Sequence, residues 1–257
     1  MTKILLVGVG KMGGALLTGW GKNTSYILST LDPQNETADY QSIPEIKSEF
    51  DVIVLAVKPQ IMLEVATALK HVVTPQTLIL SIAAGKTISF YESVFGTTQP
   101  IIRAMPNTPV LIGKGISVLC GNKSITEPHQ KIVFELLSIV GVVEWIEDEK
   151  MMDAVTAVSG SGPAYVFHLI ETMTAAGIKA GLPAPLAETL ARQTVIGSAA
   201  LAEADKNTPT RQLRENVTSK GGTTEAALDI LMADDGLENL MTRVIRAAQK
   251  RGQDLAK

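Results

Sequence analysis

The sequence predicts an α/β domain with a doubly wound, mostly parallel sheet over residues 1–148, followed by an all-α domain over residues 149–257. Three observations predict it. Short, nearly continuous apolar runs alternate with helical stretches through the first half, the pattern of a parallel sheet covered on both faces. The run Gly8-Val9-Gly10-Lys11-Met12-Gly13 joins the first apolar run directly to the first helical stretch. Beyond about residue 148 strand-like runs cease, and Ala, Leu, Glu, Met and Thr recur at helical spacing.

In order, KILLVGV reads as a strand and residues 11–22 as the helix that packs on it. YILST and DVIVLAV read as the second and third strands, and IMLEVATALKHV has helical spacing. TLILSIAA and PIIRAM are the fourth and fifth strands, with a short helical stretch near Ser89 to Phe95 between them. GISVLCG and GVVEWIE flank a helix from about Glu127 to Ile139. In the second half SGSGPAY begins a long helix, AYVFHLIETMTAAGIKAGL. LAETLARQTVIGSAALAEA, TEAALDILMADDG and LENLMTRVIRAAQKRG follow, with Gly181, Pro183, Pro209 and Gly236 as punctuation. These helices are apolar over wide arcs with few residues to cover them. A homodimer through the helical domain is expected; the alternative is a monomer whose helices pack on the first domain.

Of the 257 residues 46% are hydrophobic, enough for a sizeable core. The net charge of −3 offers no basic face to nucleic acid. The single cysteine, Cys120, excludes an internal disulfide framework and suits a reducing compartment; its apolar run favours a buried small hydrophobe over a nucleophile. The chain enters a strand at once without a signal-peptide layout, and no apolar run reaches the ~18 residues of a membrane span. A cytoplasmic protein that binds no membrane is expected, so Asn23-Thr24-Ser25, Asn35-Glu36-Thr37 and Asn216-Val217-Thr218 are chance matches to a glycosylation pattern. His71, His129 and His168 are far apart and lack metal-ligand spacing, and no metal is expected. His168, on an apolar helix, reads as a core or interface histidine.

In the glycine run, Gly8 permits a tight turn, Gly10 lets the backbone approach a pyrophosphate, and Gly13 lets helix and strand pack closely. The strand before it and the helix after it are the context a Rossmann dinucleotide site requires. Asp32 closes the second strand. It either accepts hydrogen bonds from an adenosine ribose, which on charge favours NADH over NADPH, or it merely begins a turn while Ser29 and Thr30 serve a phosphate. Ala56-Val57-Lys58-Pro59 ends the third strand, where ligands sit in open parallel sheets. Lys58 there is a phosphate or ribose contact, or a solvated surface charge. In Arg103-Ala104-Met105-Pro106-Asn107-Thr108-Pro109 two prolines stiffen a loop that either offers Asn107 to a nicotinamide carboxamide or simply crosses between strands.

GVGKMGGAL, AVKPQ, RAMPNTP, SGSGPAY and VTSKGGTTEAAL occur in that order, and together they resemble the pyrroline-5-carboxylate reductase family along nearly the whole chain. Lys220 stands where the family pattern usually has proline. The resemblance implies a Rossmann domain followed by a helical dimerisation domain, with dimers that assemble further into rings such as a decamer. It places the cofactor phosphates on Gly8 to Gly13, the cofactor edge on Ala56 to Pro59, and a small-molecule substrate at Ser219 to Thr224, with Thr224 beside the ring nitrogen. It implies hydride transfer from NADPH or NADH to a cyclic imine carrying a carboxylate, the last step of proline synthesis.

These residue types suit that chemistry. Gly221 and Gly222 are expected to leave amide groups uncovered before the helix that Thr223 and Thr224 begin, an anion seat that needs no arginine. Ser219, Thr223 and Thr224 are substrate contacts or helix caps. Thr224 is the candidate for orienting or relaying the imine proton. A β-hydroxyacid dehydrogenase of the same layout would carry a lysine one turn beyond a glycine in the long helix, and Gly160 to Tyr165 has none. A non-catalytic nucleotide sensor would have no use for the hydroxyls between 219 and 224.

Overall fold

The computed structural model describes residues 1–21 and 25–255, so Lys22, Asn23 and Thr24 lie outside the described residues. The chain separates into two compact units, Met1–Ser161 with Ala248–Lys257, and Gly162–Ala247.

The first unit holds β1 (Thr2–Val7), α1 (Lys11–Trp20), β2 (Tyr26–Leu31), β3 (Val52–Leu55), α2 (Met62–Ala68), β4 (Leu78–Ser81) and α3 (Ile88–Phe95). It continues with β5 (Ile101–Pro106), β6 (Gly115–Gly121), α4 (Glu127–Ser138), β7 (Gly141–Trp145) and a short α5 (Met152–Val155). The strands form one sheet in the order β2-β1-β3-β4-β5-β6-β7. Val7 lies between Leu31 and Leu55, so β2 and β3 flank β1. The first five strands are parallel, and the VIVL and LILS strands are wholly buried, as strands covered on both faces must be. Alternation along each strand divides the core. Ile4, Leu6, Val52 and Val54 meet Leu16 and Trp20 of α1 and Leu136 of α4 on one face. Leu5, Val7, Ile53 and Leu55 meet Met62 of α2 and Tyr91 of α3 on the other.

Parallel pairing, expected for most of the sheet, gives way at one place. β5 and β6 are antiparallel, and β7 follows β6 in parallel. Residues 107–114 make only a short 3-10 turn, and a parallel pairing needs a crossover of roughly a dozen residues or more. The sheet is therefore mostly parallel.

Residues 149–161 pack on this sheet. Glu149 accepts from Arg103 Nη1 at 2.9 Å and from the Ile88 amide at 2.9 Å, and Met152 and Ala157 are buried. The SGSGPAY segment, expected to open the long helix, first passes through a π-helical turn at Thr156–Gly160. Ser161 N–H bonds back to Thr156 O at 2.9 Å, and only then does α6 (Gly162–Lys179) begin. Gly160 lies against the Met105 side chain of β5, whose terminal methyl would have to shift for a larger residue.

The second unit is helical: α6, α7 (Ala184–Ala204), α8 (Thr210–Asn216), α9 (Thr223–Leu231) and most of α10 (Leu237–Leu255). Gly181, at φ +102°, ends α6 in a Schellman turn, with Leu182 N–H on Gly177 O and Gly181 N–H on Ile178 O. Gly177 then allows α6 to approach Ala187 of α7. α8 escaped the sequence reading because TRQLREN holds one apolar residue and shows no period. Among the described hydrophobic residues of this unit only Ala187 and Ala191 are buried, while Phe167 is 61% exposed and Ile230 75%. His168 is exposed as well, satisfied by Glu171 at 3.0 Å.

Candidate active site

Because β2 and β3 lie on either side of β1, the connections leaving β1 and β3 part there, and a crevice opens at their carboxyl ends. It holds a cavity of about 420 Å3. Six residues singled out in the sequence line it: Gly8, Gly10, Asp32, Ala56, Val57 and Lys58. Pro33, Gln34, Ile43, Ile61 and Val65 line it too and were missed. Pro33 and Gln34 directly follow Asp32, and Ile61 and Val65 share one face of α2 by their spacing of four, so position alone could have found those four. Ile43 arrives by tertiary folding.

Gly8 adopts φ +97°, and its amide donates to Leu31 O at 2.8 Å. A Cβ there would stand 3.0 Å from the Ala56 carbonyl. A Cβ on Gly13 would strike the Gly8 carbonyl oxygen, so Gly13 is what lets α1 lie against the loop. Gly10 differs: its missing Cβ would point into open space. Nothing in the described chain requires a glycine there, whereas a ligand brought against the backbone would. The N-cap of α1 is Gly10 itself, with no side-chain cap and no acid in the first turn. The amides of Lys11, Met12 and Gly13 thus begin a helix that no side chain caps, a seat for phosphate. These features fit a dinucleotide. Lys11 is exposed and Met12 packs on the core.

The Asp32 carboxylate is held by two backbone amides, Val9 N–H on Oδ2 at 2.8 Å and Gln34 N–H on Oδ1 at 2.9 Å. It ties the glycine loop to the end of β2. Thr30, the alternative phosphate ligand, is buried, and its hydroxyl donates to Asp39 Oδ2 at 2.9 Å. Pro59 and Lys58 form the turn into α2, their carbonyls accepting from Met62 and Ile61. Asn107 braces its loop: Oδ1 accepts from Ile116 N–H at 3.0 Å and Nδ2 donates to Ser159 O at 3.2 Å. Cys120 is buried in β6, and burial pushes its thiol pKa up, away from the range of a nucleophile.

In the second unit Ser219 to Gly222 form a turn closed by Gly222 N–H on Ser219 O at 3.0 Å. Gly221, at φ +73°, takes the third position. Lys220, with no positive φ, takes the second. This is the pattern of a type II turn, in which proline suits the second position, so the turn forms with lysine there but without proline's rigidity. The expected uncovered amides are not those of Gly221 and Gly222. Gly221 N–H donates to Glu225 Oε2 at 2.6 Å, and Gly222 N–H closes the turn. Glu225 sits at the third helical position, from which a carboxylate reaches back over the helix start. The open amides therefore move on to Thr223 and Thr224, the first residues of α9. The N-cap is Gly222 and has no side-chain cap, so neither threonine nor Ser219 caps α9. Ser219, Gly221, Thr223 and Thr224 are all exposed.

Among the described residues no group of His, Cys, Asp and Glu could hold a metal, and no helix is long and apolar enough to cross a membrane.

Residues 149–255 match the family model for pyrroline-5-carboxylate reductase dimerisation, and residues 3–85 match that for NADP oxidoreductase, coenzyme F420-dependent. The helical half is thus a module of oligomerisation. The chain is 44% identical to a pyrroline-5-carboxylate reductase of Pseudomonas aeruginosa over 84% of its length and 78% of the relative's. It is 34% identical to that of Haemophilus influenzae over 98% and 97%. Among solved structures, the Coxiella burnetii pyrroline-5-carboxylate reductase superimposes with a TM-score of 0.91 at 31% identity, covering 100% of this chain and 99% of that one. The Plasmodium falciparum pyrroline carboxylate reductase, solved with NADP bound, gives 0.86 at 32%, covering 100% and 98%. A glycine loop at the switch point of a mostly parallel sheet, a helical half and identity along the whole length lead to one conclusion: this chain belongs to the pyrroline-5-carboxylate reductase family, oxidoreductases that use NAD(P)H to reduce pyrroline-5-carboxylate to proline.

Proposed function

We propose that this chain reduces 1-pyrroline-5-carboxylate to L-proline with the glycine loop and the Ser219–Thr224 turn serving one active site, within one chain or across a dimer. The observation that carries it is identity to reductases over 98% of the chain, which takes in both stretches. NAD(P)H supplies the hydride that the imine carbon receives. Gly8, Val9, Gly10, Lys11, Met12 and Gly13 hold the pyrophosphate by backbone amides, and Asp32 takes the adenosine ribose. Ala56, Val57, Lys58 and Pro59 bound the cofactor's edge. Asn107, which keeps one Nδ2 hydrogen to offer, orients the nicotinamide carboxamide.

The amides of Thr223 and Thr224 bind the substrate carboxylate at the start of α9, on a turn shaped by Gly221 and Gly222 and flanked by Ser219. The Thr224 hydroxyl holds the ring nitrogen or its proton, which matters because the protonated imine accepts hydride best. The exposed apolar residues of α6 and α7 are covered in a homodimer, and dimers build a larger ring. A buried, unpaired Cys120 is in keeping with the cytoplasm.

The test follows NADH and NADPH absorbance with pyrroline-5-carboxylate, then with a 3-hydroxy acid and NAD(P)+. Oxidation of the reduced cofactor with the imine alone is expected; turnover of the hydroxy acid alone would overturn the reading. Sedimentation of Phe167→Glu against wild type is expected to show a smaller particle.

A further inference from the structure

We propose that the Asp32 end of the cavity selects a dinucleotide whose adenosine ribose carries a free 2′-hydroxyl, so that this chain works with NADH in preference to NADPH. The inference rests on reading the cavity as the dinucleotide site, and it names which dinucleotide.

Asp32 lines the cavity from the end of β2, where the adenosine ribose lies in folds of this kind. Its carboxylate is pinned from two sides, by Val9 N–H and Gln34 N–H. It cannot turn away from an incoming phosphate without releasing the glycine loop. Each of its oxygens still has a lone pair for a ribose hydroxyl. A 2′-phosphate would be placed against a fixed negative charge.

The surrounding segment offers no relief. Residues 32–46 contain Asp32, Glu36, Asp39 and Glu45, and neither lysine nor arginine. That segment is folded back on β2 by its own hydrogen bonds, Tyr40 N–H on Thr30 O at 3.0 Å and Asp32 N–H on Tyr40 O at 3.2 Å. Asp39 is held there by the amide and hydroxyl of Thr30. The Thr30 hydroxyl, buried and outside the cavity lining, is thereby engaged. The next cation along the chain, Lys47, donates to Pro44 O at 3.0 Å and does not line the cavity. The cation that does line it, Lys58, follows β3, on the opposite side of β1 from Asp32. Phosphate selectivity needs a cation or several donors at the ribose, and this end of the cavity presents a carboxylate. The Plasmodium falciparum neighbour was solved with NADP, so the shared fold does not set the choice; the residues after β2 do.

Equilibrium titration of the full chain separates this from the proposed activity, because no substrate is present. NADH and NADPH are titrated by fluorescence, and AMP and adenosine 2′,5′-bisphosphate by calorimetry. Wild type is expected to bind NADH at least tenfold more tightly than NADPH, and AMP more tightly than the bisphosphate. Asp32→Ser is expected to bring both ratios to unity or reverse them. Should that change loosen the glycine loop and abolish binding, Gln34→Arg decides. It keeps Asp32 and the backbone amide that holds it, adds a cation at the cavity, and is expected to raise NADPH affinity relative to NADH tenfold. Tighter or equal binding of NADPH by wild type, or ratios unmoved in the variants that bind, overturns the proposal. Strong NADH selectivity without imine reduction would instead overturn the proposed activity and leave this inference standing.

Discussion

The chain carries two glycine turns that each open a helix, and they are built in opposite ways. At Gly8 and Gly13 glycine is required by the protein's own backbone: Gly8 has Ala56 at 3.0 Å, and Gly13 has the Gly8 carbonyl against it. At Ser219–Gly222 the turn is exposed and closed by its nearest neighbours, Ser219 O and Glu225. A Cβ on Gly221 would meet nothing within 4 Å; only its φ of +73° asks for glycine. The first turn is fixed by the core of one unit, whereas the second is fixed by local geometry alone. A turn so constructed keeps its shape without a ligand, whereas the exposed turn is held only by its own hydrogen bonds.

Substitutions ought to expose that difference. The largest effect is expected from Gly13→Ala, whose Cβ overlaps the Gly8 carbonyl: about 3 kcal/mol of stability and most of the nucleotide affinity. A thermal melt and a nucleotide titration check it, and a variant that melts and binds like wild type would break the comparison. Thr224→Ala comes next, with roughly 1.5–3 kcal/mol lost from transition-state stabilisation, the range for a hydrogen bond to a charged group. It is exposed and caps nothing, so kcat/KM should fall while the melting temperature stays put. Unchanged kcat/KM removes Thr224 from the chemistry.

Gly221→Ala is expected to cost about 1–2 kcal/mol, the strain of a left-handed side chain without any clash. Urea unfolding measures it, and a loss as large as that of Gly13→Ala would erase the distinction between the two turns. The smallest change should be a gain. Lys220→Pro suits the second position of a type II turn and is expected to add about 0.4–1 kcal/mol by restricting the unfolded chain. A lower melting temperature in that variant would mean the turn type is wrong.

How much of this was legible in the sequence varied with how local its cause was. The glycine loop was readable because its strand, turn and helix are contiguous. Asp32 was readable as a polar residue at a strand end, but its partners were not. Val9 and Gln34 reach it only once β2 lies beside β1, and the same pairing commits Thr30 to Asp39. The error at Gly221 and Gly222 was of another sort. Glu225 stands at the place from which a carboxylate reaches back over a helix start, so the engagement of the Gly221 amide has a local cause. Asn107 was identified as special by its flanking prolines, and the structure shows it joined to Ile116 and Ser159, partners remote along the chain.

By itself the sequence determined the strands and most helices, the turn glycines and the order of the two halves, since hydrophobic period and φ preference act within a few residues. Tertiary structure alone decided that β6 reverses, that Asp32 grips the glycine loop, that Ile43 reaches the cavity, and that residues 149–161 fold onto the sheet. Those outcomes depend on which distant segments exclude water together, and no local pattern encodes a neighbour that only packing supplies.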